Sequence, residues 1–160
     1  MRLSQAESRM LSGKEGYATK KCMEILVALG EIYGAERLIS ISSAQVSGVS
    51  YKNLGDAGIE FLKELAVDGR ARVKSTLNPA GMDLKCWKEQ GIEEHFARKQ
   101  LEVIEAYTKL GLEAACTCTP YLAGNLPAFS DHIAWSESSA VVYANSVLGQ
   151  GLTAKGDRAR

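Results

Sequence analysis

Arg37-Leu-Ile-Ser-Ile-Ser-Ser-Ala-Gln-Val46, running into Ser47-Gly-Val-Ser50, decides the fold. Its apolar and β-branched residues, with Leu38, Ile39 and Ile41 at the heart, predict a strand. The small polar residues after it predict a turn. Upstream, Ser4-Gln-Ala-Glu7 has the spacing of a capping box and predicts the start of a short helix. A second helix is predicted over about 13–33, where Cys22, Ile25, Leu26, Leu29 and Ile32 recur at helical spacing before Gly34. The deciding strand therefore lies between helices.

Downstream the alternation continues. Ile59, Phe61, Leu62, Leu65 and Ala66 form an apolar helical face that ends near Gly69. Residues 71–76 read as a short strand closed by Asn78-Pro79-Ala80-Gly81. A long helix over about 93–110 carries Phe96, Leu101, Ile104 and Tyr107 and stops at Gly111. Residues 113–117 predict a third strand, closed by Thr119-Pro120. Residues 133–136 predict a fourth, and 139–148 a helix. Strands alternating with helices of this length predict an α/β fold, a parallel sheet with flanking helices. Ligands of such sheets bind beyond the carboxyl ends of the strands. The turns at Gly48-Val49-Ser50, Asn78-Pro79, Cys118-Thr-Pro120 and Glu137-Ser138 all follow predicted strands, so four segments should converge on one edge.

The bulk composition bounds the function classes. At 160 residues, with 46% hydrophobic and 24% charged residues, the chain is long enough for one domain with a core. Lys plus Arg and Asp plus Glu both count 19, which gives no electrostatic reason to expect nucleic acid or an anionic membrane as partner. No apolar run reaches the roughly 18–20 residues of a membrane span. Residues 1–5 lack the apolar stretch of a signal peptide, so the expected location is the cytoplasm. There the four cysteines, Cys22, Cys86, Cys116 and Cys118, should be thiols. No C-x-x-C occurs, and a metal site made from this chain alone is not expected.

Each candidate residue has a structural reading beside the functional one. Cys118, at a strand end ahead of a turn, could ligate iron, or be a small buried hydrophobe. Cys116 is expected to point away from it. Cys22 and Cys86 read as structural. Gly48-Val49-Ser50 could hold a phosphate or carboxylate on its N–H groups and hydroxyl, or be a plain strand-to-helix turn. Asn78-Pro79 could present an amide to a substrate, or simply turn the chain. Glu137, Ser138 and Ser139 could bind substrate hydroxyl or carboxylate groups, or cap a helix. His95 and His132 stand isolated. Asp56, Glu60, Lys63 and Glu64 read as a solvated helix face.

Five ordered stretches carry a family resemblance: Gly30-Glu-Ile-Tyr-Gly-Ala-Glu36, Ser43-Ala-Gln-Val-Ser-Gly-Val-Ser-Tyr-Lys-Asn53, Thr76-Leu-Asn-Pro-Ala-Gly-Met-Asp83, Cys116-Thr-Cys-Thr-Pro-Tyr121 and His132-Ile-Ala-Trp-Ser-Glu-Ser-Ser-Ala-Val-Val-Tyr-Ala-Asn-Ser146. Residues 1–149 resemble the N-terminal portion of the large, catalytic subunit of the aconitase X family, a partial aconitase-superfamily catalytic domain. The resemblance implies a hydro-lyase with a [4Fe–4S] cluster whose thiolate-free iron acts as Lewis acid on a leaving hydroxyl. In the archaeal branch it implies dehydration of (R)-5-phosphomevalonate to trans-anhydromevalonate 5-phosphate in a modified mevalonate pathway. By motif match Cys118 would be one cluster ligand, the others lying in a C-terminal part. Gly48, Val49, Ser50, Asn78, Pro79 and Ser138 would line the substrate. The catalytic residue, a Ser base, would belong to a small swivel subunit, leaving none in this chain, which alone should be inactive. A cis-3-hydroxyproline dehydratase-type member and a non-catalytic remnant remain as alternatives.

The tail departs from the pattern. The family continues A-R-T-N-R-E-G after the equivalent of Gly149, whereas this chain has Gln150-Gly-Leu-Thr-Ala-Lys-Gly156. Codons such as CAA GGA CTA ACC GCG AAG would encode residues 150–155; preceded by G and read one base earlier, they would encode A-R-T-N-R-E. A single-base deletion near codon 149 is therefore expected, with 150–160 an off-family tail.

Overall fold

The computed structural model describes residues 1–147 and the backbone of 151–152. Residues 150–160, expected to depart from the family, and the end of the last predicted helix at Leu148 otherwise lie outside the described residues. Helix α1 (Gln5–Leu11) begins where the capping box requires: the Glu7 N–H donates to Ser4 Oγ at 3.3 Å, and the Ser4 N–H to Glu7 Oε2 at 2.6 Å. Helix α2 (Tyr17–Ile32) follows Gly16, which caps nothing with a side chain. Its cap comes instead from Asp68, whose carboxylate accepts from the Tyr17 N–H at 2.6 Å and the Ala18 N–H at 3.0 Å. Gly16 leaves the room for this, since a Cβ there would sit 2.7 Å from Asp68 Oδ2.

Strand β1 (Ser43–Val46) leads through the turn at 47–50 to α3 (Tyr51–Leu65), kinked at Gly55, where φ is 62°. Strand β2 (Lys74–Leu77) precedes α4 (Glu94–Lys109). A short 3-10 turn (Pro120–Ala123), strand β3 (His132–Trp135), helix α5 (Ser138–Ser146) and the two-residue β4 (Gly151–Leu152) complete the order. The sheet runs β2-β1-β3-β4 with every pairing parallel, as the alternation predicts.

Register divides the core. Gln45 lies beside Thr76 and Trp135, and Val46 beside Leu77; paired residues share a face and successive ones do not. On one face Val46 and Leu77 pack with Ile59, Leu62, Val103 and Tyr107 of α3 and α4. On the other, Ile133 and Trp135 pack with Ala140 and Ala144 of α5. That second face is partly polar. Ser43 Oγ donates to Asn125 Oδ1 at 2.6 Å and accepts from Trp135 Nε1 at 2.8 Å. The Asn125 amide also donates to Ala44 O and Thr76 Oγ1, both at 3.0 Å. Asn125 thus pins the loop after Pro120 across β1 and β2.

Three expectations need correction. The strand predicted over 37–46 is formed only at Ser43–Val46; Arg37 makes a single bridge to Arg2, because the flanking strands reach no further back than Ser43. The strand predicted over 113–117 is not one. Glu113 bridges Thr76, exchanging hydrogen bonds with Ser75 and Leu77, but Cys116 has φ of 45° and breaks the extension. The apolar stripe of α2 also fails to enter the core: Ala18 and Met23 are its buried residues, while Ile25, Leu26, Leu29 and Ile32 stay 45–74% exposed. The face has helical period, but α2 packs chiefly against the short α1, which buries no residue of its own, and only lightly against α3.

Replacing Ser43 by Ala should strand a buried indole N–H and a buried amide oxygen. We expect a loss of about 2 kcal/mol in unfolding free energy, measured by urea titration.

Candidate functional site

The sheet's carboxyl edge gathers the four predicted segments. Ser136 follows β3; its hydroxyl donates to Gln45 O at 2.6 Å and accepts from the Ser47 N–H at 3.1 Å, which ties the turn after β3 to the turn after β1. Gln45, 2% exposed, reaches the other way. One N–H of its amide donates to Asn78 Oδ1 and the other to Thr117 O, each at 2.9 Å. Asn78 passes the connection on, its Nδ2 donating to Glu137 Oε2 at 2.8 Å. The hydroxyls of Ser138 and Ser139 approach Glu137 Oε1 at 3.3 and 3.4 Å, and that of Ser139 also approaches Cys118 O at 3.4 Å. Residues 45–50, 78, 117–119 and 136–139 thus form one connected edge.

Each predicted site residue has a definite place on it. Gly48 has φ of 74°, a left-handed conformation that glycine adopts without penalty, and it turns the chain toward α3. Val49 is buried, and Ser50 caps α3 by accepting from the Lys52 N–H at 3.3 Å. Among the described residues no acceptor takes the N–H of Gly48, Val49 or Ser50. Three consecutive N–H groups at a helix start suit an anionic oxygen group. Asn78 is nearly buried and Pro79 exposed. The Asn78 amide uses its oxygen and one N–H within the protein, leaving one N–H for a ligand. Ser138 is exposed at the start of α5.

Glu137 is a carboxylate at neutral pH. The Asn78 amide, then the Ser139 backbone N–H and the hydroxyls of Ser138 and Ser139, hold its pKa below the ordinary glutamate value against a smaller opposing effect of burial. It can accept a hydrogen bond but not serve as a proton donor near pH 7. A lowered folded-state pKa stabilises the fold above the unfolded value, about 4.3, and that contribution is lost as pH falls through the folded pKa.

Cys118 is exposed at the edge, whereas Cys116 is half-buried against the α3–α4 core. Strand pleating does not cause the divergence, because residues two apart in a strand share a face. The left-handed backbone at Cys116 turns it inward. Burial pushes the Cys116 thiol pKa up, partly offset by a hydrogen bond from the Ala80 backbone. Among the described residues no group of three or more His, Cys, Asp or Glu side chains is placed to hold a metal ion. The chain's own donors therefore do not fit a complete iron–sulfur site, while the exposed Cys118 fits one position of a shared ligand set.

The remaining candidates stay apart. His132 opens β3, at the opposite end of the strand from this edge. His95 lies on α4, edge-on to Tyr51 at 6.5 Å. Cys22 and Cys86, expected to be structural, are both exposed. Asp56 and Lys63 do form a solvated face, pairing with Lys99 at 2.8 Å and Glu102 at 2.7 Å on α4.

Sequence reasoning missed Gln45 and Gln100. Gln45 carries the one buried side-chain oxygen, Oε1, that lacks a hydrogen-bond partner among the described residues. Gln100 is fully buried and bonded to both the turn after β1 and the turn after β2. Each has a signal in the sequence: an amide placed where strand or helix periodicity calls for an apolar side chain.

Residues 1–159 match the family model described as the aconitase X first domain. The chain is 58% identical over 150 residues to the phosphomevalonate dehydratase large subunit of Methanocaldococcus jannaschii, covering 93% of this chain and 37% of that protein. It is 35% identical over 149 residues to the cis-3-hydroxy-L-proline dehydratase of Pseudomonas aeruginosa, covering 92% of this chain and 25% of the relative. The crystal structure of Thermococcus kodakaraensis aconitase X in its holo-form superposes with a TM-score of 0.83 at 56% identity, over 96% of this chain and 38% of that one. The chain thus spans little more than a third of the archaeal relatives.

Two outcomes check the edge. Replacing Asn78 by Ala should raise the Glu137 titration midpoint, followed by carbon-13 NMR of the carboxyl group. Alkylation of the native chain should reach Cys118 before Cys116, read by peptide mass spectrometry.

Proposed function

The chain belongs to the aconitase X family, and from that premise we propose that it is the substrate-cradling first part of a hydro-lyase large subunit acting on (R)-5-phosphomevalonate. The observation that carries this reading is the chain of hydrogen bonds from Thr117 through Gln45 and Asn78 to Glu137, which unites the turns at the sheet's carboxyl edge. The reaction breaks a C–O bond and a neighbouring C–H bond, forms the C=C bond of trans-anhydromevalonate 5-phosphate, and releases water.

The N–H groups of Gly48, Val49 and Ser50 hold an anionic end of the substrate. Asn78 adds its remaining N–H, Pro79 shapes the rim and Ser138 offers a hydroxyl. Glu137, ionised and fixed by Asn78, accepts from a substrate hydroxyl and orients it. Cys118 supplies one thiolate to a [4Fe–4S] cluster whose other ligands come from outside this segment. When bound, that cluster supplies a Lewis acid for the leaving hydroxyl. The proton acceptor is a serine of a small swivel subunit, so this chain alone is inactive. The setting is cytoplasmic, in the archaeal mevalonate route; among the described residues no helix is long and apolar enough to cross a membrane. The higher identity to the phosphomevalonate enzyme, 58% against 35%, favours this substrate over cis-3-hydroxyproline.

The test grafts residues 1–147 in place of the matching part of the Methanocaldococcus large subunit, assembled with its small subunit. Water loss from (R)-5-phosphomevalonate is the expected result. Turnover of cis-3-hydroxy-L-proline instead would shift the assignment, and turnover of neither would end it. Cys118→Ser in the same assembly should lower bound iron, and activity by at least about tenfold. The isolated chain, purified without oxygen, should carry little iron; a stoichiometric cluster there would refute the single-ligand assignment.

A further inference from the structure

Gln100 interrupts the apolar stripe of α4, between Ala97 and Val103, and is fully buried. A buried amide is costly unless its polar atoms are bonded. Here all are bonded, and none of the partners lies on α4. Gln100 Oε1 accepts from the Tyr51 N–H at 2.9 Å and from the Gly81 N–H at 3.3 Å. Gln100 Nε2 donates to Val49 O at 2.9 Å. The two donors face the oxygen and the carbonyl faces the nitrogen, so the amide fits in one orientation only.

These partners belong to the turn after β1 and the turn after β2, and the two turns also touch each other. A Cβ at Gly81 would stand 2.4 Å from Ser50 Oγ and 3.0 Å from Gln100 Oε1. Tyr51 packs edge-on against Phe96 of α4, with ring centroids 5.9 Å apart. The seam between the turns is therefore closed by a bare glycine, one amide and one aromatic pair.

We propose that Gln100 is a positioning residue that locks the Gly48–Ser50 turn and the Asn78–Gly81 turn at a fixed spacing, so that both grip one substrate together. This rests on the assignment of those turns to the substrate. Gln100 touches no substrate itself. Its effect comes through placement: without it the two turns no longer hold one substrate at a fixed spacing, and binding weakens.

The test has two readouts. Amide hydrogen exchange on the full chain compares the native protein with Gln100→Met and Gln100→Glu. The methionine removes all three bonds and should open the Tyr51 and Gly81 amides to exchange. The glutamate keeps an acceptor for both amides and should restore much of their protection. Kinetics on the assembled two-subunit enzyme carrying this segment supply the second readout. There Gln100→Met should raise the KM for (R)-5-phosphomevalonate by at least about tenfold with a smaller change in kcat, and Gln100→Glu should recover part of that loss.

Protected amides in Gln100→Met would overturn the proposal, as would freed amides with an unchanged KM. If Gln100→Met does not fold, Gly81→Ala wedges the same seam from the other side and must shift KM in the same direction. An assembly that never turns over phosphomevalonate counts against the assigned function alone; the exchange pattern still decides whether Gln100 locks the turns.

Discussion

A primary amide carries two N–H donors on one nitrogen, and Gln45 directs them to different segments of the chain. Thr117 and Asn78 are both far from Gln45 in sequence, yet one buried nitrogen fixes the distance between them. The rest of the edge follows from that. Asn78, held by its oxygen, must present its nitrogen to Glu137. Thr117, held by its carbonyl, sets where Cys118 stands along the sheet's edge. A thiol, an amide and a carboxylate from three segments come into register because one side chain in the central strand cannot serve either partner from elsewhere. The same buried position leaves Gln45 Oε1 without a donor among the described residues, so this side chain is also where the edge is least satisfied.

The two faces of the sheet divide the work. The α3–α4 face is almost wholly apolar and supplies burial, with Leu77 and Val103 fully enclosed. The opposite face mixes Trp135 and Ile133 with Ser43, Gln45, Thr76 and Asn125. Buried polar groups of this kind stabilise little on balance but tolerate few alternative arrangements. Packing therefore holds the domain together, and the polar face dictates which loop lies where. The Asn125 bonds keep the loop after Pro120 over the sheet, close to the start of the strand that delivers Glu137.

Much of this was legible in the sequence. The helix–strand alternation gave a parallel sheet, and the polar turns after Val46, Leu77 and Trp135 marked its carboxyl edge. The capping box at Ser4 and Glu7 was readable to the residue. Illegible features share one cause: they depend on a partner distant in sequence. Residues 38–42 have strand composition, but no neighbouring strand extends far enough to pair with them. Residues 113–117 look extended until the positive φ of Cys116 appears. The stripe on α2 has helical period, yet periodicity says nothing about whether a covering element exists. Gln45 and Gln100 were passed over because a polar residue at an apolar position looks like noise until its bonds are seen.

The cap of α2 bears on the order in which the chain organises. A 16-residue helix is marginal in water on its own, and this one has no local side chain to finish its first turn. The group that finishes it, Asp68, is made 51 residues after Tyr17. Closing so long a loop carries an entropic cost that must be offset by structure already present. The first turn of α2 is therefore complete only once Asp68, just beyond α3, is in place. α1 buries no residue and α2 only Ala18 and Met23, and elements with few buried contacts are the first to open in the native state. The amino-terminal helices are thus the part of this fold that local unfolding releases most readily.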